Sequence, residues 1–186
     1  MRKVIYGFNV SVDGYIETGN GDINWTVPDD EIHQYFNDQE REFDTHLYGR
    51  RLYEIMSAFW PTADENPDAS EVEIEYAHIW KGIKNIVFSR TLTQVDRNSQ
   101  LFRGNIAEEI NKLKAQPGKD MNVGGANLAS TFMQLGLIDE YRLFIWPVIL
   151  GSGKPMFPQL RERIDLKLVE THKFGSGVVM LRLVNK

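Results

Sequence analysis

The sequence predicts an α/β protein with a mostly parallel sheet that ends in an antiparallel C-terminal hairpin. Three observations lead to this class. Residues 2–12 are apolar at both alternating positions, which is typical of a strand covered by helices on both faces. Strand-like runs then alternate with helical patterns through residue 135. Residues 165–173 and 177–184 are two strand-like runs joined by a glycine-rich turn.

Each element rests on a local signal. Asn105 is a good N-cap for the helix that follows it, and Gly136 is a typical residue at a helix C-terminus. The acidic segment 61–75 is a predicted loop that leads into a helix ending near Trp80. The predicted strands are residues 2–12, 45–48, 84–89, 121–123, 140–150, 165–173 and 177–184, and the other helices are predicted to begin near Pro28, Gly49 and Ala126.

Composition excludes several classes of function. The net charge of -5 and the lack of a basic stripe argue against nucleic-acid binding. The absence of cysteine removes disulfides and thiolate catalysis, and the four histidines lack the spacing of a metal site. The longest apolar run, Leu143–Leu150, is too short to cross a bilayer. We therefore expect no metal and no membrane partner, and a cytoplasmic location.

Three strand-to-helix junctions carry the functional signal: Gly49-Arg50-Arg51, Ser89-Arg90-Thr91 and Gly124-Gly125-Ala126. In an open α/β sheet, ligands bind beyond the carboxyl ends of the strands. Helix N-termini there offer unpaired N–H groups to a phosphate, and arginines add charge-assisted contacts. A Gly-Gly pair before a helix is also ordinary turn chemistry, and the chain lacks G-x-G-x-x-G and G-x-x-x-x-G-K-[ST]. Only the recurrence of such junctions favours a phosphate site.

A family resemblance covers the whole chain. VSVDGYI, LYGRRLYE, IVFSRTL, MNVGGANLASTF and DEYRLFIWPVILGSGKPMF occur in the order seen in the dihydrofolate reductase-like fold. With these motifs the chain resembles bacterial proteins related to the reductase domain of the bifunctional riboflavin-biosynthesis enzyme. The resemblance implies a three-layer α/β/α fold, one domain over residues 1–186, and a bound NADPH from which a hydride is transferred.

The resemblance also implies which residues contact the cofactor. Phe8, Asn9 and Ile16 would border the nicotinamide. The residues implied at the phosphates are Gly49, Arg50, Arg51, Ser89, Arg90 and Thr91, of which the last three would hold the adenosine 2′-phosphate, assisted by Arg50 or Arg51. The residues implied at the pyrophosphate and ribose are Gly124, Gly125, Ala126, Asn127 and Leu128.

The substrate side departs from the resemblance. Riboflavin-type reductases commonly have a lysine where this chain has Gly7, and a glutamate where it has Val123. The aspartate of their S-L-D-G motif is retained as Asp13. Losing the lysine and the glutamate removes polar contacts to a phosphoribosylated pyrimidine, whereas the retained Asp13 leaves a contact to the substrate ribose available.

Comparison with dihydrofolate reductase leaves two alignments open. The acidic residue of the first helix corresponds to Asp30 when the alignment starts at Pro28, and to His33 when it runs back from Gly49. The further residues predicted to line the substrate are Trp25, Tyr53 and Ile145. The proton for the reduction would come from Asp13, Asp30, His33 or an ordered water.

The sequence therefore predicts an NADPH-dependent reductase of a small heterocyclic or sugar-derived substrate. The best named counterpart is 5-amino-6-(5-phosphoribosylamino)uracil reductase, and the runner-up is dihydrofolate reductase. A non-catalytic nucleotide-binding module of the same fold is the alternative from another class. A homodimer is also predicted, with the terminal hairpin and the run LFIWPVIL as its pairing surfaces.

Overall fold

The structure is a computed structural model that describes residues 1–96, 98–157, 159–160 and 162–186. Within these residues, the helices are α1 (Asp30–Glu40), α2 (Arg50–Phe59), α3 (Glu71–Gly82), α4 (Ile106–Ala115) and α5 (Ala126–Gln134). The strands are β1 (Val4–Ser11), β2 (Tyr15–Glu17), β3 (Phe43–Gly49), β4 (Lys84–Phe88), β5 (Ser99–Phe102), β6 (Asp120–Gly124), β7 (Glu140–Trp146), β8 (Lys154–Pro155), β9 (Leu166–Lys173) and β10 (Val179–Asn185).

Eight of these strands form one sheet in the order β5-β4-β3-β6-β1-β7-β10-β9. The pairs from β5 to β7 are parallel, whereas β10 runs antiparallel to both β7 and β9. The predicted α/β class, with its parallel sheet and C-terminal hairpin, is confirmed. The hairpin turns at Gly177, whose φ of 90° suits glycine and whose N–H donates to the Phe174 carbonyl.

Helices cover the sheet on both faces. Helices α4 and α5 bury Ile110 and Phe132 against Tyr6 and Leu47 of β1 and β3. On the opposite face, α1 buries Ile32 against Phe144 of β7. Helix α2 lies on that same face, where its Tyr53 packs on Tyr48 of β3. Helix α3 packs beside α1, and the amide of Asn37 donates to the Val72 carbonyl at 2.9 Å. The predicted three-layer arrangement follows from this packing.

Helix starts agree with the local signals. Asp29 caps α1 by accepting the Ile32 N–H at 2.9 Å, one residue after the proline taken as the start. Ser70 and Glu73 form a capping box on α3. Asn105 caps α4 as predicted, accepting the Ala107 N–H at 3.0 Å.

Several predicted bounds change in the structure. The strand predicted to reach Leu150 ends at Trp146, because Pro147 follows and cannot donate a ladder hydrogen bond. The predicted loop over 61–75 begins with a 3-10 helix, Trp60–Glu65. Strand β5 was not predicted at all. The predicted loop after β1 contains β2, which pairs with β8 in a separate two-stranded sheet.

The two surfaces predicted for a homodimer differ in whether another chain could pair with them. Strand β7, which carries the start of LFIWPVIL, is hydrogen-bonded on both edges, to β1 and β10. It therefore offers no free edge. Strand β9 is an outer strand of the sheet, and Leu168 and Val169 on it are exposed. The homodimer stays a prediction, and the hairpin is the part of the predicted surface that is open.

Two features are absent from the described residues. None of their helices has the length and apolar character needed to cross a membrane. Within the same residues, no cluster of three or more histidine and acidic side chains is arranged to hold a metal ion.

Candidate functional site

The three strand-to-helix junctions lie side by side at one edge of the sheet. Strands β4, β3 and β6 are parallel neighbours, so their carboxyl ends meet there. The register pairs Gly49 with Phe88 and Tyr48 with Gly124. We call the row formed by residues 49–51, 89–91 and 124–128 the junction edge. The structure thus brings together the residues that the resemblance assigns to the cofactor phosphates.

Two helices begin at the junction edge with free backbone donors. Gly49 precedes α2 and Gly125 precedes α5, and neither helix has a side-chain cap. The first hydrogen bond of α5 runs from the Ala129 N–H to the Gly125 carbonyl at 3.0 Å. The amides of Ala126, Asn127 and Leu128 are therefore not used within the helix, and such donors at a helix N-terminus suit an anion.

The two adjacent glycines have different roles. A methyl group on Gly124 would lie 2.6 Å from Leu52 Cδ2 and 2.8 Å from the Tyr48 ring, so α2 packs where a side chain would stand. Gly125 has a φ of 93°, which other residues rarely adopt. The first glycine is required by packing within the protein, and the second by the turn into α5.

Arginines line the junction edge. Arg50 and Arg90 are exposed, and neither forms an ion pair with the part of the chain that the structure describes. Arg51 lies 3.3 Å from Glu17 of β2. Ser89 Oγ accepts the N–H groups of Thr91 and Leu92 at 3.2 and 3.1 Å, which fixes the turn that presents Arg90. Arg50 and Arg90 are thus the cations available to an anionic ligand.

A cavity of about 510 Å³ opens between the sheet and helices α1, α2 and α3. We call it the aromatic cavity because eight aromatic residues line it: Phe8, Phe36, Phe43, Tyr48, Phe59, Trp60, Tyr76 and Phe144. The other lining residues are Ile5, Gly7, Asn9, Ile23, Thr26, Pro28, His33, Gln39, Glu40, Leu52, Met56, Glu73, Asn122, Gly124 and Arg142. Gly124 belongs to both regions, so the cavity adjoins the junction edge.

A second cavity of about 410 Å³ lies near Gly136 and Ile164, where α5 meets the C-terminal part of the chain. Its described walls include none of the three junctions. We therefore take the aromatic cavity as the candidate site, because apolar walls with a few polar groups are typical of ligand pockets.

Of the three side chains predicted as proton donors, His33 lines the cavity. It is half-buried, and its ring centroid lies 6.0 Å from that of Tyr76. Burial lowers the pKa of His33, while the carboxylates of Glu73, Asp30 and Glu75 act in the opposite direction without cancelling it. His33 is therefore neutral at pH 7, with one ring N–H to donate.

Asp13 and Asp30 lie outside the cavity. Asp13 accepts hydrogen bonds from Ser11 Oγ at 2.7 Å and from the amides of Leu150 and Gly151 at 3.1 and 2.7 Å. The hydroxyl of Ser11, followed by these amides, lowers the pKa of Asp13. Asp13 thus holds the turn at residues 150–151 as an anion. Asp30 is exposed in the first turn of α1.

The three predicted substrate residues also fall outside the cavity lining. Trp25 is half-buried against the cluster of Ile32 and Phe144, and its Nε1 lacks a hydrogen-bond partner among the described residues. Tyr53 is buried, and its hydroxyl accepts the Asp96 N–H at 2.8 Å. Ile145 packs in the core on the α4 and α5 side, because alternate residues of β7 face opposite ways. The β7 residues that line the cavity are Arg142 and Phe144.

The residues predicted at the nicotinamide divide between the cavity and the core. Phe8 and Asn9 line the cavity, and Asn9 Oδ1 accepts the Trp146 Nε1–H at 2.9 Å. Ile16 is buried in β2 against the large core cluster. The end of β1 therefore lies where the cavity and the sheet edge meet.

A buried polar network at the cavity wall was not predicted. Glu40 lies 2.6 Å from His46 Nε2 and 3.3 Å from the Asn122 amide. His46 is fully buried, and its Nδ1 lies 3.0 Å from the Tyr48 hydroxyl and 3.2 Å from Asn85 Oδ1. The network fixes Glu40 in one position. The sequence feature that could have indicated this network is His46, a polar residue inside a buried strand, six residues after Glu40.

Arg142 was also missed. It is paired in register with Gly7, and its side chain is 6% exposed. Its Nε donates to Glu140 at 2.8 Å, and one terminal nitrogen donates to Glu42 at 2.7 Å. Within the described chain, the other terminal nitrogen has no hydrogen-bond partner. A cation is thus present beside the position where the resemblance would place a lysine.

Known proteins similar to this chain agree with the fold. The sequence profile of the RibD C-terminal domain family matches residues 2–180. The Bacillus subtilis protein YyaP, which is uncharacterized, is 42% identical over 184 residues, covering 97% of this chain and 93% of that protein. The chain therefore belongs to the RibD C-terminal domain family.

Two solved structures share the fold. A putative riboflavin biosynthesis protein from Shewanella sp. PV-4 has a TM-score of 0.78 at 20% identity, covering 99% of both chains. Dihydrofolate reductase from Enterococcus faecalis, complexed with NADP(H) and RAB-propyl, has a TM-score of 0.63 at 12% identity, covering 99% of this chain and 96% of that one.

Proposed function

We propose that this member of the RibD C-terminal domain family is an NADPH-dependent reductase of a small heterocyclic or sugar-derived substrate. One observation carries the proposal: a junction edge with free helix amides and unpaired arginines adjoins an aromatic cavity at Gly124. The fold shared with a dihydrofolate reductase that binds NADP(H) supports the same nucleotide. The named activity that we consider first is 5-amino-6-(5-phosphoribosylamino)uracil reductase, which is the activity of a structurally similar protein from Thermotoga maritima.

The residues of the junction edge fit the phosphates of a dinucleotide. The amides of Ala126, Asn127 and Leu128 would bind the pyrophosphate at the start of α5. Arg90 would bind the adenosine 2′-phosphate, because its guanidinium is exposed and unpaired within the described chain. Arg50 would assist it from the first turn of α2. When bound, the nicotinamide supplies the hydride, which no side chain can provide.

The aromatic cavity would orient the substrate and exclude water. Its aromatic walls favour a flat ring, and Asn9 and Phe8 mark the end nearest the strand carboxyl termini. His33 is our side-chain candidate for donating the proton, because it lines the cavity and keeps one N–H in its neutral form. A water held by His33 is the alternative donor.

Ligand-dependent thermal unfolding tests the nucleotide. NADPH at about 100 times its dissociation constant should stabilise the native state by roughly 2.7 kcal/mol. NADH at the same concentration should stabilise it less, because it lacks the 2′-phosphate. No stabilisation by either nucleotide would refute the proposal.

Measuring NADPH oxidation distinguishes an active reductase from a protein that only binds the nucleotide. The loss of NADPH absorbance should depend on a substrate drawn from a panel of oxidised heterocycles and sugar derivatives, with dihydrofolate included. Tight NADPH binding without turnover on that panel would favour a non-catalytic module of the same fold. Turnover of dihydrofolate above all other compounds would identify the protein as a dihydrofolate reductase.

A further inference from the structure

The charges that face the aromatic cavity are almost balanced. Of its described lining residues, Arg142 is the one permanent cation, and Glu40 and Glu73 are carboxylates. His33 is neutral, for the reason given above. The lining thus has a formal charge of about −1 at pH 7, taken from the ordinary ionisation of these side chains.

The charge of Arg142 is itself already matched. Its guanidinium contacts Glu140 and Glu42, and Glu140 also accepts from Arg182 at 2.9 Å and lies 3.3 Å from Lys3. Arg182 in turn lies 3.2 Å from Glu170. Three cations therefore meet three carboxylates in this group. A phosphate placed beside Arg142 would compete with Glu140 and Glu42 for its guanidinium, and it would meet the like charges of Glu40 and Glu73 in the cavity lining.

Two hydrogen-bond donors of the cavity lining have no hydrogen-bond partner within the described chain. The amide nitrogen of Gln39 is buried near the Tyr35 hydroxyl, but it forms no hydrogen bond of normal geometry within the part of the chain that the structure describes. The free terminal nitrogen of Arg142 is a second donor on the same cavity. A buried donor is normally satisfied, so an acceptor from a ligand or a water is expected at the Gln39 amide. A carbonyl oxygen or ring nitrogen meets that need without adding a full charge.

We propose that the ligand of the aromatic cavity is a planar heterocycle that carries no phosphate, and that its carbonyl or ring-nitrogen acceptors bind Gln39 and Arg142. Glu40, fixed by His46 and Asn122, accepts an N–H or amino group on the same ring. This inference rests on the proposed function in taking the cavity as the substrate's place. It narrows the substrate class and separates it from phosphoribosylated pyrimidines.

Matched pairs of probes test the proposal in the absence of any nucleotide. Uridine is compared with uridine 5′-monophosphate and riboflavin with its 5′-phosphate, and lumazine serves as a small uncharged bicycle. Dissociation constants come from tryptophan fluorescence and thermal unfolding. We expect at least one uncharged probe to bind, and its phosphorylated counterpart to bind at least tenfold more weakly. Equal or tighter binding of the phosphorylated member, or no binding of any uncharged probe at millimolar concentration, would overturn the proposal.

Two variants assign the effect to the named residues. Gln39→Leu should lower the affinity for the uncharged probe about tenfold. Gln34→Leu, on the same helix but outside the cavity lining, should leave that affinity unchanged. Glu42→Gln removes the charge of one partner of Arg142 at a half-exposed position. The difference in affinity between the uncharged probe and its phosphorylated counterpart should therefore become smaller. An unchanged affinity in folded Gln39→Leu would refute the role of the Gln39 amide. The separate NADPH titration tests the proposed function, so the two can fail independently.

Discussion

The junction edge and the aromatic cavity share Gly124 but differ in whether their arginines are paired with carboxylates. At the junction edge, Arg50 and Arg90 are exposed and unpaired within the described chain, and the first amides of α5 are not used within the helix. In the cavity, the one arginine is buried and matched by two carboxylates. An unpaired cation at a surface is available to an anionic ligand, whereas a matched buried cation mainly maintains the structure. The same fold thus separates phosphate binding from ring binding.

The largest expected effect comes from breaking the charge balance behind the cavity. Burial alone would raise the pKa of Glu140, but hydrogen bonds from Arg182 and Arg142 outweigh it and lower that pKa, so the residue is ionised. Glu140→Leu would leave Lys3, Arg142 and Arg182 without their shared partner, and should cost about 3–5 kcal/mol of unfolding free energy.

Urea denaturation measures this loss. Glu170→Leu is the matched control, because it removes an exposed partner of Arg182 and should cost at most about 1 kcal/mol. Equal losses in the two variants would show that the buried carboxylate has no special role.

Arg90→Ala should act on the junction edge alone. The loss of a charge-assisted contact to the 2′-phosphate should weaken NADPH binding by about 1.5–3 kcal/mol while leaving NADH binding nearly unchanged. Isothermal titration with both nucleotides measures the difference. Arg163→Ala, at an exposed site outside the junction edge, should alter neither affinity. Equal weakening of NADPH and NADH by Arg90→Ala would remove Arg90 from the 2′-phosphate site.

Gly124→Ala should affect the boundary between the two regions. Its methyl group would meet Leu52 and the buried Tyr48 ring, and overpacking of this kind costs about 1–3 kcal/mol. The melting temperature should fall accordingly. Gly19→Ala, where an added methyl group meets nothing within 4 Å, should change stability by no more than about 0.5 kcal/mol. A stable Gly124→Ala variant would show that α2 can move away from the sheet.

The smallest expected effect is a pH dependence from His33. Its pKa is lower in the folded protein than in the unfolded chain, so the unfolded chain binds the proton more readily. Above the unfolded pKa both states are neutral and His33 contributes no pH dependence. Stability should fall as the pH drops below that value, and His33→Gln should lose less stability over the same range. Urea midpoints at pH 7.5 and 5.5, compared between the two proteins, measure this, and identical losses would contradict it.

The part of the molecule that could be predicted from sequence is the part encoded locally. The junction at Gly124-Gly125 was found because β6 and α5 are contiguous in the chain, and the cap at Asn105 needs only its own helix. Strand β5 was missed because four residues, Ser99–Phe102, have too little pattern without β4 beside them.

The cavity wall could not be predicted for a different reason. Glu40, His46 and Asn122 come from α1, β3 and β6, and their polar side chains meet only after the sheet has formed. Each residue alone resembles an ordinary surface or core residue in the sequence. Likewise, the sequence does not indicate that Arg142 stands beside Gly7, because their pairing depends on the correct folding of the 134 residues between them.

The position of β6 also determines when the site can form during synthesis. Strand β6 lies between β1 and β3, which end at Ser11 and Gly49, well before β6 begins at Asp120. Until Asp120–Gly124 leaves the ribosome, β1 and β3 have no common neighbour, and their inner edges stay unpaired. A nascent chain that pauses before this segment therefore exposes two apolar strand edges, which invite association with other chains. Insertion of this five-residue strand pairs it with both β1 and β3, completes the Glu40 network through Asn122 and brings residues 124–128 to the junction edge.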